Sequence, residues 1–267
     1  MKVLFIGDIV GSPGRHIVRE RLADLVEQRG IDLVIANGEN SASGFGITPR
    51  IAEELFQQGI AVLTGGNHSW DRKEIMDFMP HEPRLLRPAN YPAQNPGTGL
   101  FIGAAKNGVK FAVLNLQGRV FLPPLEDPFK KADTLLESLP PDVSFVLVDM
   151  HAETTSEKIA IGWYLDGRVT AVVGTHTHVA TADENVLPNG TAYITDVGMT
   201  GPPDGVIGMD RAGVMKKFID AMPSRFEVAT GNVQLNAVLI ETDGLSAPNQ
   251  SGRLRAKSIE RLRLHID

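Results

Sequence analysis

The stretch MKVLFIGD, residues 1–8, decides the fold. Residues 3–7 form a short apolar run that stops on the carboxylate of Asp8. A run of that length and content reads as a strand buried on both faces, as in a sheet covered by helices. It is too short for the apolar core of a signal peptide, and Asp8 breaks it. Ligands of open parallel sheets collect at the carboxyl ends of the strands, so the polar residue that ends such a run is where chemistry is expected.

Outward from this stretch, apolar and β-branched runs recur at residues 33–36, 61–63, 101–103, 110–116, 144–148, 170–173 and 192–195. Further strands are predicted at 225–229, 234–241 and 258–264. The last alternates apolar with charged residues, as a half-exposed edge strand does. Asn107-Gly108 predicts a hairpin turn, and Gly231-Asn232 a second one between 225–229 and 234–241. Helical patterns lie between the early strands. Ser12-Pro13 predicts a helix start, with Ser12 as the cap, and Gly30 its end. Thr48-Pro49 starts a second helix that ends near Gly59. Others are predicted at 71–78, 129–138 and 211–221, with one more capped by Thr155 or Ser156 and ending near Gly167. The order β-α-β-α-β, followed by strand-rich segments, predicts an α/β fold with two mixed sheets packed together and helices outside. Without an internal repeat or a composition break, residues 1–267 read as a single domain.

Composition narrows the function. The chain of 267 residues is 42% apolar and 22% charged, with a net charge of −6. No Lys/Arg run is present, which argues against a groove for long nucleic acid, whereas a small anionic substrate is compatible because a bound metal can outweigh the global charge. There is no cysteine, hence no disulfide and no thiolate metal site. No segment reaches the roughly 20 apolar residues of a membrane span, so a cytoplasmic protein without membrane contact is expected. A homo-oligomer is compatible with all of this.

Five strand ends carry the chemistry: FIGD at Asp8, ANGEN at Glu39-Asn40, GGNH at Asn67-His68, VDMHAE at His151, and GTHTH at His176 and His178. Singly, each has a plain reading: Asp8 as a turn residue, Asn67 as a backbone bridge, His68 or His151 as a satisfied structural histidine. Five in succession point to a metal site. Carboxylate, amide oxygen and imidazole suit manganese, iron or zinc. Two such ions about 3.5–4 Å apart activate a bridging hydroxide and clamp phosphate oxygens during in-line attack. The glycines of residues 7–14 do not follow the G-x-G-x-x-G spacing of a dinucleotide loop. The Gly- and Pro-rich stretch 195–208 reads either as an ordinary turn or as a loop shaping the substrate pocket. Trp70 and Trp163 read as packing residues.

The succession resembles the calcineurin-like metallophosphoesterase superfamily, whose signature is D-x-H, G-D, G-N-H, a lone His and G-H-x-H. Gly66-Asn67-His68 and His176-Thr177-His178 match closely. Gly174-Thr175 departs from the usual glycine directly before the first histidine. Val10 stands where the first motif has its histidine, and Glu39 where the bridging aspartate is usual. These departures, with GDIVGSPGR at 7–15 and TDVGMTGP at 195–202, resemble the bacterial YmdB-like subfamily, associated with 2′,3′-cyclic-nucleotide 2′-phosphodiesterase activity. The resemblance implies a four-layer αββα sandwich of two mixed β-sheets flanked by helices. It also implies two divalent or mixed-valence transition-metal ions, iron or manganese first and zinc compatible. Asp8, Glu39, Asn40 and His178 would hold one ion, and Glu39, Asn67, His151 and His176 the other, with Glu39 bridging. His68 matches the motif histidine that stands beside the metals without ligating them, and it suits a general acid. Two rivals remain at this point: a non-catalytic nucleotide-binding regulator, which the missing histidine at Val10 favours, and a phosphomonoesterase or protein phosphatase on the same scaffold.

Overall fold

A computed structural model describes residues 1–244 and 248–266. Strands β1 (Lys2–Ile6), β2 (Leu33–Asn37) and β3 (Val62–Thr64) alternate with helices α1 (Gly11–Arg29) and α2 (Pro49–Gln57). Helix α3 (Ile75–Phe78) leads to the hairpin strands β4 (Leu100–Ala104) and β5 (Lys110–Gln117). Then come α4 (Pro128–Glu137), β6 (Phe145–His151), α5 (Thr155–Leu165), β7 (Ala171–Thr175), β8 (Asn185–Val186) and β9 (Ala192–Ile194). Helix α6 (Arg211–Asp220) and strands β10 (Val233–Thr242) and β11 (Ala256–Ile266) complete the chain.

The strands form two mixed sheets. One has the order β11-β10-β1-β2-β3, the other β4-β5-β6-β7-β9-β8. β1, β2 and β3 run parallel, and β10 runs antiparallel to both β1 and β11. In the second sheet β5, β6, β7 and β9 are parallel, with β4 and β8 antiparallel at the edges. Alternation along β1 sets the layers. Val3 and Phe5 point into the core between the sheets, where they join Ile35, Val62, Phe145, Leu147 and Val173. Leu4 and Ile6 point outward onto Ile17, Val18 and Leu22 of α1 and Leu55 of α2. On the far face of the second sheet, Val146, Val148 and Val172 pack against Leu136 of α4 and Ile161 and Leu165 of α5. The layers are therefore α, β, β, α, as expected. Among the described residues no helix is long and apolar enough to cross a membrane.

Several local expectations hold for the reasons that suggested them. Thr48 Oγ1 accepts from Ile51 N–H, and Gly30 ends α1 at φ 63°, where a residue with a Cβ is disfavoured. The β4–β5 hairpin turns at Asn107-Gly108, and β11 is an edge strand.

Others are corrected. Helix α1 starts at Gly11, with Val10 before it and no side-chain cap, because the N–H groups of Val10 and Gly11 are taken by Thr200 O and Asn40 O. Thr154, not Thr155 or Ser156, precedes α5. The helix predicted at 71–78 shrinks to α3, because Asp71 turns its carboxylate back to His68. The strand predicted at 225–229 does not form. Among the described residues its ladder contact is a single bridge from Val228 to Met209, and β10 pairs with β1 and β11 instead. Strand β8 has two residues, too short to leave an apolar signal. Trp70 packs edge-on against Tyr91, but Trp163 is 57% exposed because α5 buries a different stripe, through Lys158, Ile161 and Leu165.

Candidate metal centre

The sheet topology gathers the strand ends. Asp8 follows β1, Glu39 and Asn40 follow β2, and Asn67 and His68 follow β3. His151 is the last residue of β6, and His176 and His178 follow β7. All lie at or beyond the carboxyl ends of parallel strands, β1, β2 and β3 of one sheet and β6 and β7 of the other. Val10, where the superfamily pattern has histidine, is fully buried apolar packing.

The hydrogen bonding of the three buried or half-buried histidines orients them. His151 Nδ1 lies 2.9 Å from Thr175 Oγ1, and that hydroxyl donates to Asp149 Oδ1 at 2.7 Å. The threonine has one proton to give, so it accepts from His151 Nδ1–H. His176 Nε2 lies 2.9 Å from Glu153 Oε2, and His178 Nδ1 lies 2.9 Å from the carbonyl of Ile207. A carboxylate and a carbonyl only accept, so both nitrogens carry protons. The opposite nitrogens, His151 Nε2, His176 Nδ1 and His178 Nε2, therefore face the interior of the site, the arrangement by which outer partners fix a ligand tautomer.

Around His151 Nε2 the spacing is tight. Asn67 Oδ1 and Glu39 Oε1 each lie 3.0 Å away and His176 Nδ1 3.1 Å away. Ligands bound at 2.0–2.2 Å and at right angles stand about 3 Å apart, so His151 Nε2 stands from each of the three at the separation of neighbours in a coordination shell. Glu39, His151 and His176 form the group best placed among the described residues to hold an ion. Two buried oxygens here have no hydrogen-bond partner, Glu39 Oε1 and Asn40 Oδ1. Buried acceptors are rarely left so, and a cation satisfies both. Asn40 turns Nδ2 toward His178 Nε2 at 2.9 Å. A half-turn of the amide puts Oδ1 there instead, as ligation requires. Asp8 Oδ1 is 3.9 Å from the same nitrogen.

The charges agree with this. Burial alone pushes the Glu39 carboxyl up, but His151 and the N–H of His68 draw it down to about 2. Burial pushes Asp8 up against the pull of His178. Burial, then the neighbouring His151, brings His176 down to about 3, keeping it neutral. Burial opposes protonation of His151, yet Glu39 and Asp8 favour positive charge at that position, which a cation on Nε2 would supply in place of a proton. Among the described residues no lysine or arginine pairs with Asp8 or Glu39, so the cationic partners of these two buried carboxylates are imidazoles alone.

The His176-Thr177-His178 turn is strained. Both histidines have left-handed backbones, φ 98° and 66°, which side chains other than glycine adopt at a cost of about 1–3 kcal/mol each. Asp196 holds the turn: its Oδ2 accepts from Thr177 N–H at 3.2 Å and Thr177 Oγ1 at 2.7 Å. Lys158 of α5 donates to the same oxygen at 2.6 Å, and both side chains are 1% exposed. Gly174, one residue ahead of Thr175, admits this packing because a Cβ there would sit 1.7 Å from Thr195 O.

Asp196, Lys158, Glu153, Asp149 and Asp71 are the residues that sequence reading missed. Period-two alternation along β6 places Asp149 on the face of His151 and was the one available signal. Lys158 reads as a solvated helix residue until the fold buries it.

His68 stands apart from the ligand cluster. Its Nδ1 lies 2.8 Å from Asp71 Oδ2, its backbone N–H donates to Glu39 Oε2 at 3.2 Å, and Phe45 packs edge-on 5.2 Å from its ring. It lines a cavity of about 590 Å³ together with Glu39, Asn40, His176 and His178. Val206 and Ile207 of the 195–208 stretch form part of the far wall, so this loop shapes the pocket.

Gly66 lets the site close. A Cβ there would lie 2.2 Å from His151 Nε2 and 2.3 Å from Glu39 Oε2. Gly66→Ala is expected to leave the fold intact, since its backbone is not left-handed, while displacing both side chains. Metal content measured by mass spectrometry should drop by at least half, and unchanged content would show that the close approach is not needed.

Comparison with known proteins places the chain in a family. A 2′,3′-cyclic-nucleotide 2′-phosphodiesterase of Bacillus subtilis (strain 168) is 51% identical over 267 residues, all of this chain and 98% of that protein. A crystal structure of a hypothetical protein from Thermus thermophilus superposes with a TM-score of 0.91 at 39% identity over the whole of both chains. A crystal structure described as a novel phosphatase, from Mycoplasma pneumoniae, gives 0.90 at 36% identity, covering 99% of this chain and 93% of that one. The profile of the YmdB-like protein family matches residues 4–257. The chain belongs to the YmdB-like family.

Proposed function

We propose that this chain, acting as a single metallophosphoesterase domain, hydrolyses 2′,3′-cyclic nucleotides to nucleoside 3′-phosphates at a two-metal site. Asp8, Glu39, Asn40 and His178 would hold one ion and Glu39, Asn67, His151 and His176 the other, iron or manganese before zinc. The observation that carries this reading is the surroundings of His151 Nε2, with Glu39 and Asn67 oxygens each at 3.0 Å and His176 Nδ1 at 3.1 Å, and Glu39 Oε1 unsatisfied. The B. subtilis relative supplies the substrate.

Bound there, a metal pair supplies positive charge to the phosphoryl oxygens and acidifies water. The chain's own residues do the rest. Water oxygen bonds to phosphorus, the P–O2′ bond breaks, and O2′ leaves as an alkoxide that needs a proton. His68 would give it. Asp71 accepts from Nδ1–H, so Nε2 is the nitrogen free to face the leaving oxygen. The N–H of His68 on Glu39 ties the acid to the proposed bridging carboxylate. The fixed His176-Thr177-His178 turn keeps two imidazoles from reorienting during turnover.

The test compares the manganese-loaded enzyme on 2′,3′-cyclic nucleotides, 3′,5′-cyclic nucleotides and phosphomonoesters. The 2′,3′-cyclic compounds should be fastest, and faster monoester turnover would replace this reading with a phosphomonoesterase. His68→Ala should slow cyclic nucleotides by about 10²–10⁴-fold, the worth of a positioned acid. It should slow a bis-nitrophenyl phosphodiester far less, because nitrophenolate leaves unprotonated. Equal losses on both substrates, or loss of metal, would remove the acid role.

A further inference from the structure

The cavity beside the metal centre has two unlike walls. One carries the carboxylate, amide and imidazoles already described. The other is apolar: Val206, Ile207 and Met209 from the loop ahead of α6, Val214 and Phe218 from α6 itself, and Phe226 beyond it. Two of these large side chains remain open to solvent, Ile207 at 51% and Phe218 at 78%. Lys217 lines the same wall, with Nζ 5.0 Å from the centre of the Phe226 ring.

A phosphodiester alone has no use for this wall. Ligand sites of this size are mostly apolar with a few polar groups that fix orientation. A ligand that fills both ends must join an anionic ester to a flat apolar group through a short polar spacer. That describes a nucleoside phosphate, whose base stacks on aromatic side chains with little sequence preference. The ammonium of Lys217 adds three donors for ring nitrogens or carbonyl oxygens of the base.

We propose that the wall formed by Phe218, Phe226 and Lys217 is a nucleobase subsite that accepts any base, purines more tightly than pyrimidines. The proposal rests on the reading of the adjacent centre as a nucleotide phosphodiesterase. The rest of α6 offers an alternative, since Met215, Ile219 and Met222 are also exposed, at 49%, 73% and 60%, yet none of them lines the cavity. A surface that docks another chain would need these residues too.

Calorimetric binding to the manganese-loaded enzyme separates the cases without requiring turnover. Adenosine 3′-monophosphate should bind at least tenfold tighter than ribose 3-phosphate. Phe218→Ser and the milder Phe226→Leu should each weaken the nucleotide, by up to about 5- to 150-fold, the range for loss of one stacked base. Ribose 3-phosphate should bind all variants alike, and Ile219→Ser should behave as wild type. Equal affinity of the wild type for the two ligands overturns the subsite. So does a parallel loss of both ligands in the phenylalanine variants, or a loss in Ile219→Ser matching that in Phe218→Ser. If nucleotide preference depends on the phenylalanines but 2′,3′-cyclic nucleotides are not hydrolysed, the subsite stands and the catalytic reading falls.

Discussion

Glu39→Gln is expected to strip the protein of metal and to reduce turnover more than any other single change in the cavity. The carboxyl is held ionised, at about 2, with Oε1 3.0 Å from His151 Nε2 and Oε2 accepting from the N–H of His68. Glutamine has nearly the same shape but brings an NH₂ group that has no good place to go. Set against His68, it points one N–H at another. Set against His151, it occupies the lone pair that an ion would use. Removing one member of a buried charged set costs about 3–5 kcal/mol, or roughly 10²- to 10⁴-fold in an equilibrium. Loss of the ions then adds to this, because it removes the phosphate clamp along with the carboxylate. Inductively coupled plasma analysis together with a cyclic-nucleotide assay reads both effects. A Glu39→Gln protein with full metal and full turnover would show that this carboxylate does not join the two halves of the site.

The second large effect is on stability. Lys158→Met should leave Asp196 charged, buried and short of its strongest partner, a loss of about 3–5 kcal/mol. For a chain of this size that lowers the melting temperature by roughly 6–20 °C. Asp196 also holds Thr177, so the variant's affinity for manganese should fall. The double variant Lys158→Met/Asp196→Leu separates the two roles. Replacing a buried pair by apolar groups is often neutral, but the N–H groups of Thr177 and Gly198 lose their acceptor, so the melting temperature should recover only in part. Manganese affinity should stay low, since the N–H and hydroxyl of Thr177 lose their acceptor. An unchanged melting temperature in Lys158→Met would show that the pair contributes nothing.

The two predictions differ in how legible their residues were. Glu39 ends an apolar run, as do Asp8, Asn67 and His151, and a strand end can be read from a few adjacent residues. The structure brings all of these together with Asn40, His176 and His178 at one edge of the sandwich. The Asp196–Lys158 pair joins a loop to a helix 38 positions away, and no local pattern announces it. The same holds for the start of α1. Ser12 has the right chemistry for a cap, but Thr200, far along the chain, has already taken the N–H of Val10 and fixed where the helix begins. Residues 225–229 have strand composition, but the neighbour expected for them, β10, is already paired on both sides by β1 and β11. Local composition therefore reported the sheets and the polar strand ends, while long-range partners decided caps, supports and edge pairing.

The position of the centre across the sandwich has a kinetic consequence. Asp8, Glu39 and Asn67 hang from one sheet, and His151, His176 and His178 from the other. An occupant that grips both groups rivets the two sheets across a core whose contacts are mostly distant in sequence. Such a rivet is absent while the sheets are still apart, so it slows the escape from the native state more than it speeds the approach to it. Emptying the site would then shorten the lifetime of the folded chain under heat or protease, the lost stability appearing as faster unfolding with little change in the folding rate, so the loaded enzyme has a durability that its catalytic chemistry does not itself require.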